Sequence, residues 1–222
     1  MLTVHHLNNS RSQRVLWLLE ELEVPYEIVK YERDPKTMLA PPSLQAIHPL
    51  GKSPVITDGD VTVAESGAII EYIVEKYGKG RFVPAAGTQA YQDYRYFMHY
   101  AEGSLMPFLL LKLIFGKMKS APMPFFVKPI ARKIADTVSK QFVDPNLTRH
   151  LTFLADHLGK HAWFAGDEIT AADIQMSFPL EGAVARAGSS VSSRLTDFVK
   201  KFQARPAYKR ALEKGGPYEL GA

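Results

Sequence analysis

The sequence contains no cysteine. That excludes disulfide cross-links, thiolate metal sites, Cys-x-x-Cys redox exchange and nucleophilic attack by sulfur of its own. Any thiol chemistry must use sulfur brought by a ligand. Long hydrophobic runs are missing as well. The most apolar stretch, MPFLLLKLIF at 106–115, is too short to cross a bilayer and is interrupted by Lys112. The opening MLTVHHLNNSRSQ has neither the basic start nor the apolar segment of a secretory leader, so a cytoplasmic protein with no membrane partner is expected. His5 and His6 would point to opposite faces of a strand, and the other histidines show no ligand spacing, so no metal is expected. Lys and Arg, 27 against 23 Asp and Glu, are scattered and leave a net charge of only +4, which argues against a nucleic-acid partner. The densest basic segment, with Lys117, Lys119, Lys128, Arg132 and Lys133, reads as a solvated face or a lure for anionic substrates.

What is present is an ordinary folded composition, 46% hydrophobic and 23% charged, over 222 residues, enough for two modest cores. Residues 2–7 read as a strand and 11–23 as a helix with Val15, Leu18, Leu19 and Leu22 on one face. Residues 26–32 read as a second strand, which makes a right-handed βαβ unit. One helical turn is expected at 43–47. A hairpin at 54–57 and 61–64 turns around Asp-Gly-Asp. The helix after it buries Ile69, Ile70, Ile73, Val74 and Tyr77 and ends at Gly78, where a left-handed cap is expected. Strand signals then stop. Helices are expected over 89–116 and, after a break at 120–126, over 128–158 with a bend at Asp144-Pro145. Thr170 to Asp173 forms a capping box that opens a helix running to about Gly188, kinked at Pro179. Two last helices are split by Arg205-Pro206. The chain therefore divides into an α/β domain at 1–80, a Gly/Pro linker at 81–88 and an all-helical domain at 89–222.

Two places invite a ligand. The first is HPLGKSPVITDGDVTVAESGAII, residues 48–70. A proline at the start of a buried strand belongs in a special turn, and Pro54 meets that condition. Glu65 and Ser66 stand at a helix N-terminus. Such a site suits capping, and equally suits an α-amino acid head group, with Glu65 toward the ammonium and Ser66 and the following N–H groups toward the carboxylate. Lys52 is placed to meet a second carboxylate. The second place is NNSRSQR, residues 8–14, at the carboxyl end of the first strand and the start of a helix. Its hydroxyls and amides serve as helix caps or as donors to an anion; a thiolate there would have a lowered pKa.

The order strand, SRSQRVLWLLEEL, strand, HPLGKSPV, DG, ESGAIIEYI, and then a helical half with FAGDEITAADI, resembles the glutathione transferase family. It is most similar to the bacterial and fungal theta-like group, over essentially the whole chain. The resemblance implies a thioredoxin-like first domain that holds glutathione as co-substrate. It implies a cis bond at Pro54 and pairing of Ser53 and Val55 main-chain atoms with the cysteinyl unit. Glu65 and Ser66 would hold the γ-glutamyl end and Lys52 the glycyl carboxylate. Where theta-like members have the thiolate-stabilising serine, this sequence has Asn9. Ser10 is preferred as the donor, with Asn9, Ser12 and a main-chain N–H as alternatives. The aromatic helix reads first as core or subunit contact; by resemblance it also lines an electrophile pocket with Tyr100, Ser104, Met106, Pro107 and Phe108. A homodimer through helices 66–77 and 89–116 is implied. The implied activity is conjugation of glutathione to a hydrophobic electrophile, in the service of detoxification; a glutathione-dependent peroxidase or disulfide reductase and a non-catalytic binding module are the alternatives.

Overall fold

A strand buried on both faces must lie inside a sheet. Leu2, Val4, His5, His6 and Leu7 of β1 (Leu2–Leu7) are all buried, and β1 is an inner strand of a four-stranded sheet in the order β2-β1-β3-β4. The computed structural model describes residues 1–186, 191–216 and 218. β2 (Tyr26–Tyr31) runs parallel to β1 in the register Leu2 to Tyr26. β3 (Val55–Asp58) and β4 (Val61–Ala64) form the hairpin, with β3 antiparallel to β1 and Val55 opposite His5. The crossover α1 (Ser12–Leu22) is buried around nearly its whole circumference, because the sheet covers one side and helices of the second half cover the other. Trp17 stacks on Phe202 at 5.3 Å and meets the edge of Tyr208 at 5.4 Å, so the two halves share one core.

The short helical turn α2 (Pro42–Gln45) precedes the Ser53–Pro54 bond, which is cis. After the hairpin comes α3 (Ser66–Tyr77). The Asp58 carboxylate accepts hydrogen bonds from Tyr72, Lys76 and Tyr77 of α3 and tethers the hairpin to that helix. The Lys76 ammonium, helped by Tyr77, holds this carboxyl down at about 2. Gly78 does not provide the expected left-handed cap. It keeps right-handed helical angles, φ −72 and ψ −24, and the chain turns left-handed one and two residues later, at Lys79 and Gly80. Tyr77 is half-buried because its hydroxyl reaches outward to Asp58.

Among the described residues from 89 on, every element of regular length is helical. α4 (Gln89–Tyr100) is capped by the Thr88 side chain, which accepts the Tyr91 N–H at 3.1 Å. The sequence pattern reads as one helix from 89 to 116. Instead α4 passes through a π-helical turn at Ala101–Leu105, closed by Met106 N–H on Ala101 C=O, into α5 (Met106–Ser120). Such a turn admits one extra residue and rotates the buried face of α5 relative to that of α4. α6 (Lys128–Val138) likewise runs through a π-helical turn at Ser139–Val143 into α7 (Asp144–His157). The widened turn ends directly before Asp144-Pro145, where a bend is expected, and leaves Pro145 in the first turn of α7, where its missing N–H costs no helical bond.

α8 (Ala171–Arg186) is the axis of the helical half, buried from Ala171 through Ala183. Of the capping box, one arm forms. The buried Asp173 carboxylate accepts the Thr170 N–H at 2.7 Å and the Phe164 N–H at 2.8 Å, while the Asp173 N–H goes to the Thr170 carbonyl. Burial pushes this carboxyl up to about 6, against the pull of those donors. The expected helix end at Gly188 lies outside the described residues, as do residues 219–222 of the helical half. α9 (Ser193–Gln203) and α10 (Pro206–Gly215) separate at Arg205-Pro206 as the sequence indicates. Arg205 pairs with Glu21, and Arg210 and Lys214 pair with Glu20, clamping α10 and its leading turn to α1.

Candidate functional site

Three loops meet at one end of the sheet: the β1–α1 turn, the segment before β3 and the β4–α3 junction. Between them lies a cleft of about 240 Å³. Of the residues singled out from sequence, Lys52, Ser53, Pro54, Glu65 and Ser66 line it together. Lys52 and Glu65 are exposed, and Ser53 is half-buried. The Val55 side chain is fully buried and faces away from the cleft.

Ser66 is buried and opens α3 as its first helical residue. It is not the cap; that position falls to Glu65, whose side chain makes no capping bond. The N–H groups of Ser66, Gly67 and Ala68 precede the first intrahelical bond, Ile69 N–H on Glu65 C=O, and so are left to a ligand or solvent. Glu65 itself sits at φ 73, ψ 126, where a side chain other than glycine is strained by about 1–3 kcal/mol. Tolerated strain of this kind collects at functional sites, and here it falls on an acid that lines the cleft beside a helix N-terminus.

Below the cleft lies a row of hydroxyls. Ser53 Oγ donates to the His5 carbonyl at 3.1 Å and accepts the Leu7 N–H at 3.3 Å. Ser10 Oγ is 3.3 Å from Ser53 Oγ and 2.7 Å from Ser12 Oγ. Ser12 Oγ is in turn 2.8 Å from His6 Nδ1. Ser10 and Ser12 are both buried, Ser12 completely. Asn9 is exposed and takes φ 47, the left-handed turn that asparagine tolerates better than most residues. Neither Asn9, Ser10 nor Ser12 lines the cleft directly; Ser10 touches it through Ser53. Burial, with Lys30 nearby, pulls the His6 ring down to about 4, so it is neutral at pH 7.

The helical half supplies the opposite wall. Glu102, in the π-helical turn, lines the cleft and accepts Arg11 Nε at 3.0 Å. The same carboxylate pairs with Arg14, a guanidinium whose side chain is 1% exposed and which also donates to the Gln175 carbonyl at 2.6 Å. The Phe178 ring lies 4.9 Å from the Arg11 guanidinium. Burial depresses the Arg14 pKa, while Arg14 and Arg11 together hold Glu102 below the usual carboxylate range against its own burial. Sequence reasoning missed Arg11, His48 and Glu102. Arg11 and His48 stood inside the two quoted stretches without being chosen. For Glu102 no sequence signal exists, because its partners are 91 and 88 residues away.

Of the five residues expected to line an electrophile pocket, Tyr100 and Phe108 both meet His150. Tyr100 and Ser104 line a groove on the outer side of α4 with Tyr96 and His99. Tyr100 is buried, and its hydroxyl meets His150 Nδ1. Phe108 packs between His150 and Phe142. Met106 packs against the core and Pro107 is exposed. Among the described residues there is no group of three or more His, Asp or Glu side chains fit to hold a metal, and no helix long and apolar enough to cross a membrane.

Comparison with known proteins supplies a frame for this geometry. Residues 1–75 match the family model described as glutathione S-transferase, N-terminal domain, and residues 122–215 the model described as glutathione S-transferase, C-terminal domain. The chain is 40% identical over 184 residues to glutathione S-transferase 3 of Schizosaccharomyces pombe, across 82% of this chain and 74% of that one. It is 33% identical over 223 residues to glutathione S-transferase 1 of Saccharomyces cerevisiae, across 96% and 95%. A solved glutathione S-transferase from Actinobacillus pleuropneumoniae superposes with a TM-score of 0.81 at 31% identity, covering 99% of this chain and 95% of that chain.

Proposed function

The chain belongs to the glutathione transferase family, and from that premise we propose that its cleft binds glutathione, keeps the thiol ionised and delivers the thiolate to a hydrophobic electrophile. The observation that carries this reading is the convergence in one cleft of a strained acid, a helix N-terminus and a lysine. A zwitterionic γ-glutamyl group finds Glu65 for its ammonium and the α3 N-terminus for its carboxylate. The glycyl carboxylate at the far end meets Lys52, and the main chain at Ser53 and Val55 pairs with the peptide between. The sulfur then falls toward the β1–α1 turn. Ser10 is the donor we assign to it: its hydroxyl lies 3.3 Å from the cleft-lining Ser53, while Ser12 is engaged with His6.

The protein's part in the chemistry is electrostatic. Each pKa unit taken off the bound thiol corresponds to about 1.4 kcal/mol of preference for the thiolate, so bringing a thiol from ~8.5 to neutrality needs roughly two good charge-assisted interactions. The sulfur attacks the electrophilic centre, its electron pair forming the new bond, and the leaving group or displaced electron pair departs on the electrophile's side. The helical half contributes proximity and an apolar surround. Pairing of two copies through α3 and α4, in the cytoplasm, completes the reading.

Ultraviolet titration of the bound thiolate tests it. In the complex the thiol is expected to titrate at least one unit below free glutathione, and Ser10→Ala to raise that value by about one unit. A bound thiol with its solution pKa removes the catalytic part of the reading. Calorimetry that finds no binding at millimolar glutathione removes all of it.

A further inference from the structure

The hairpin joining α5 to α6 carries side chains that the fold leaves outside. Phe125 is 87% exposed, Phe126 65%, Ile130 62% and Ile134 52%. α6 buries only Ala135 among its eleven residues, so its apolar side chains do not serve the core. Phe126, Ile130 and Ile134 are spaced by four, which sets them along one stripe. The tip has a defined shape. Val127 N–H closes a tight turn on the Pro124 carbonyl at 3.0 Å, and the Phe125 and Phe126 rings sit edge to face with centroids 5.6 Å apart.

Charge is segregated to the same place. Between Gly103 and Val143 the sequence has seven Lys and Arg against one acid, Asp136. That acid is already taken by Lys119 at 2.6 Å. The segment therefore holds +6, whereas the whole chain is +4 and the remainder is net negative by two. Lys117, Lys133 and Lys140 of this segment are exposed. Two copies of this surface would repel each other, which disfavours a subunit contact. Projecting aromatics ringed by cations suit an interface that is apolar a few ångströms down and anionic at its surface.

We propose that the α5–α6 hairpin seats this protein peripherally on membranes bearing anionic phospholipid, with Phe125 and Phe126 entering the acyl boundary and the surrounding Lys and Arg meeting headgroup phosphates. This departs from the expectation of no membrane partner, which considered only spanning segments. The contact needs no glutathione and stands apart from the cleft chemistry.

Cosedimentation of the full chain with vesicles tests it, using phosphatidylcholine alone and phosphatidylcholine with about a third phosphatidylserine. Binding is expected only to the anionic vesicles, with loss of most of it when ionic strength rises about tenfold. The double substitution Phe125→Ser, Phe126→Ser and the double substitution Lys117→Glu, Lys133→Glu should each lower the partition coefficient by about tenfold or more, leaving the thermal midpoint and solution mass unchanged. All four side chains are exposed or at a loop tip, so the variants are expected to fold. The proposal is overturned if the wild-type chain ignores anionic vesicles, or if binding survives the Phe substitutions. A change in solution mass on substituting the phenylalanines also overturns it, since that marks a subunit contact. Glutathione calorimetry on the same samples separates this outcome from failure of the cleft reading.

Discussion

Removing the charge of Glu102 should weaken the whole molecule, although Glu102 itself lies at a cleft wall. The reason is Arg14. Its guanidinium side chain is 1% exposed, lies near Phe178 and has Glu102 as its directly paired carboxylate, with the buried Glu181 farther off within electrostatic reach. Its Nε has no hydrogen-bond partner among the described residues, so the pairing through Nη2 and the Gln175 carbonyl is what makes burial tolerable. Breaking a buried pair by deleting one member costs about 3–5 kcal/mol, because the surviving charge is left uncompensated. The Glu102 side chain is 31% exposed, so water screens part of the interaction and the low end, about 2–3 kcal/mol, is expected for Glu102→Leu. For a chain of this length that corresponds to a fall of roughly 5–10 °C in the thermal midpoint. Arg14→Met should cost less than Glu102→Leu, since Glu102 keeps Arg11 and a solvated edge. The double variant Arg14→Met, Glu102→Leu should be more stable than Glu102→Leu alone. Urea denaturation followed by circular dichroism, with the cycle closed over all four proteins, gives the coupling directly. A Glu102→Leu cost below about 0.5 kcal/mol, or simple additivity in the double variant, refutes the argument that Arg14 depends on this partner.

Further outcomes can be measured in the same way. Asp173→Asn keeps the shape but offers one acceptor oxygen where the Phe164 and Thr170 N–H groups now use two, leaving a buried donor unpaired; a loss of about 1–3 kcal/mol in urea denaturation is expected. His6 is held near 4 in the fold against an ordinary 6.5, so the unfolded chain takes up a proton first as the medium is acidified. Its contribution to stability is complete above pH 6.5 and is lost as pH falls from there toward 4, by up to about 3 kcal/mol, and His6→Gln should flatten the thermal midpoint over that window. Glu65→Gln and Lys52→Ala should each weaken glutathione binding by about tenfold in calorimetry, about 1.4 kcal/mol apiece, without moving the thermal midpoint by more than a degree or two. An unaltered dissociation constant in both variants would remove these residues from the binding site.

The strands, the hairpin and the breaks between helices were legible because their causes are local. Period-two alternation, Asp-Gly-Asp and Arg-Pro act within a few residues. The same holds for Lys52, Ser53, Pro54, Glu65 and Ser66, which share one loop–hairpin–helix unit and so fall into one cleft. Features fixed by distant partners were not legible. Glu102 reaches the cleft because a π-helical turn presents it there, and nothing in AEGSL announces that turn. Gly78 shows a subtler limit. Composition located the end of α3 correctly, but the left-handed residues are Lys79 and Gly80, because Gly78 N–H still bonds the Val74 carbonyl as a last helical turn.

The row Ser10, Ser12, His6 has a polarity, since each hydroxyl owns a single hydrogen. When His6 Nδ1 is bare, Ser12 spends its hydrogen there and Ser10 spends its own on Ser12, which turns a lone pair toward an incoming sulfur. When Nδ1 carries the hydrogen, the row reverses, and the Ser10 hydrogen is left for Ser53 Oγ, whose own goes to the His5 carbonyl, or for an incoming sulfur. Ser10 can therefore hold a thiolate only when Nδ1 carries the hydrogen, so the tautomer of a buried ring decides whether the assigned donor is available.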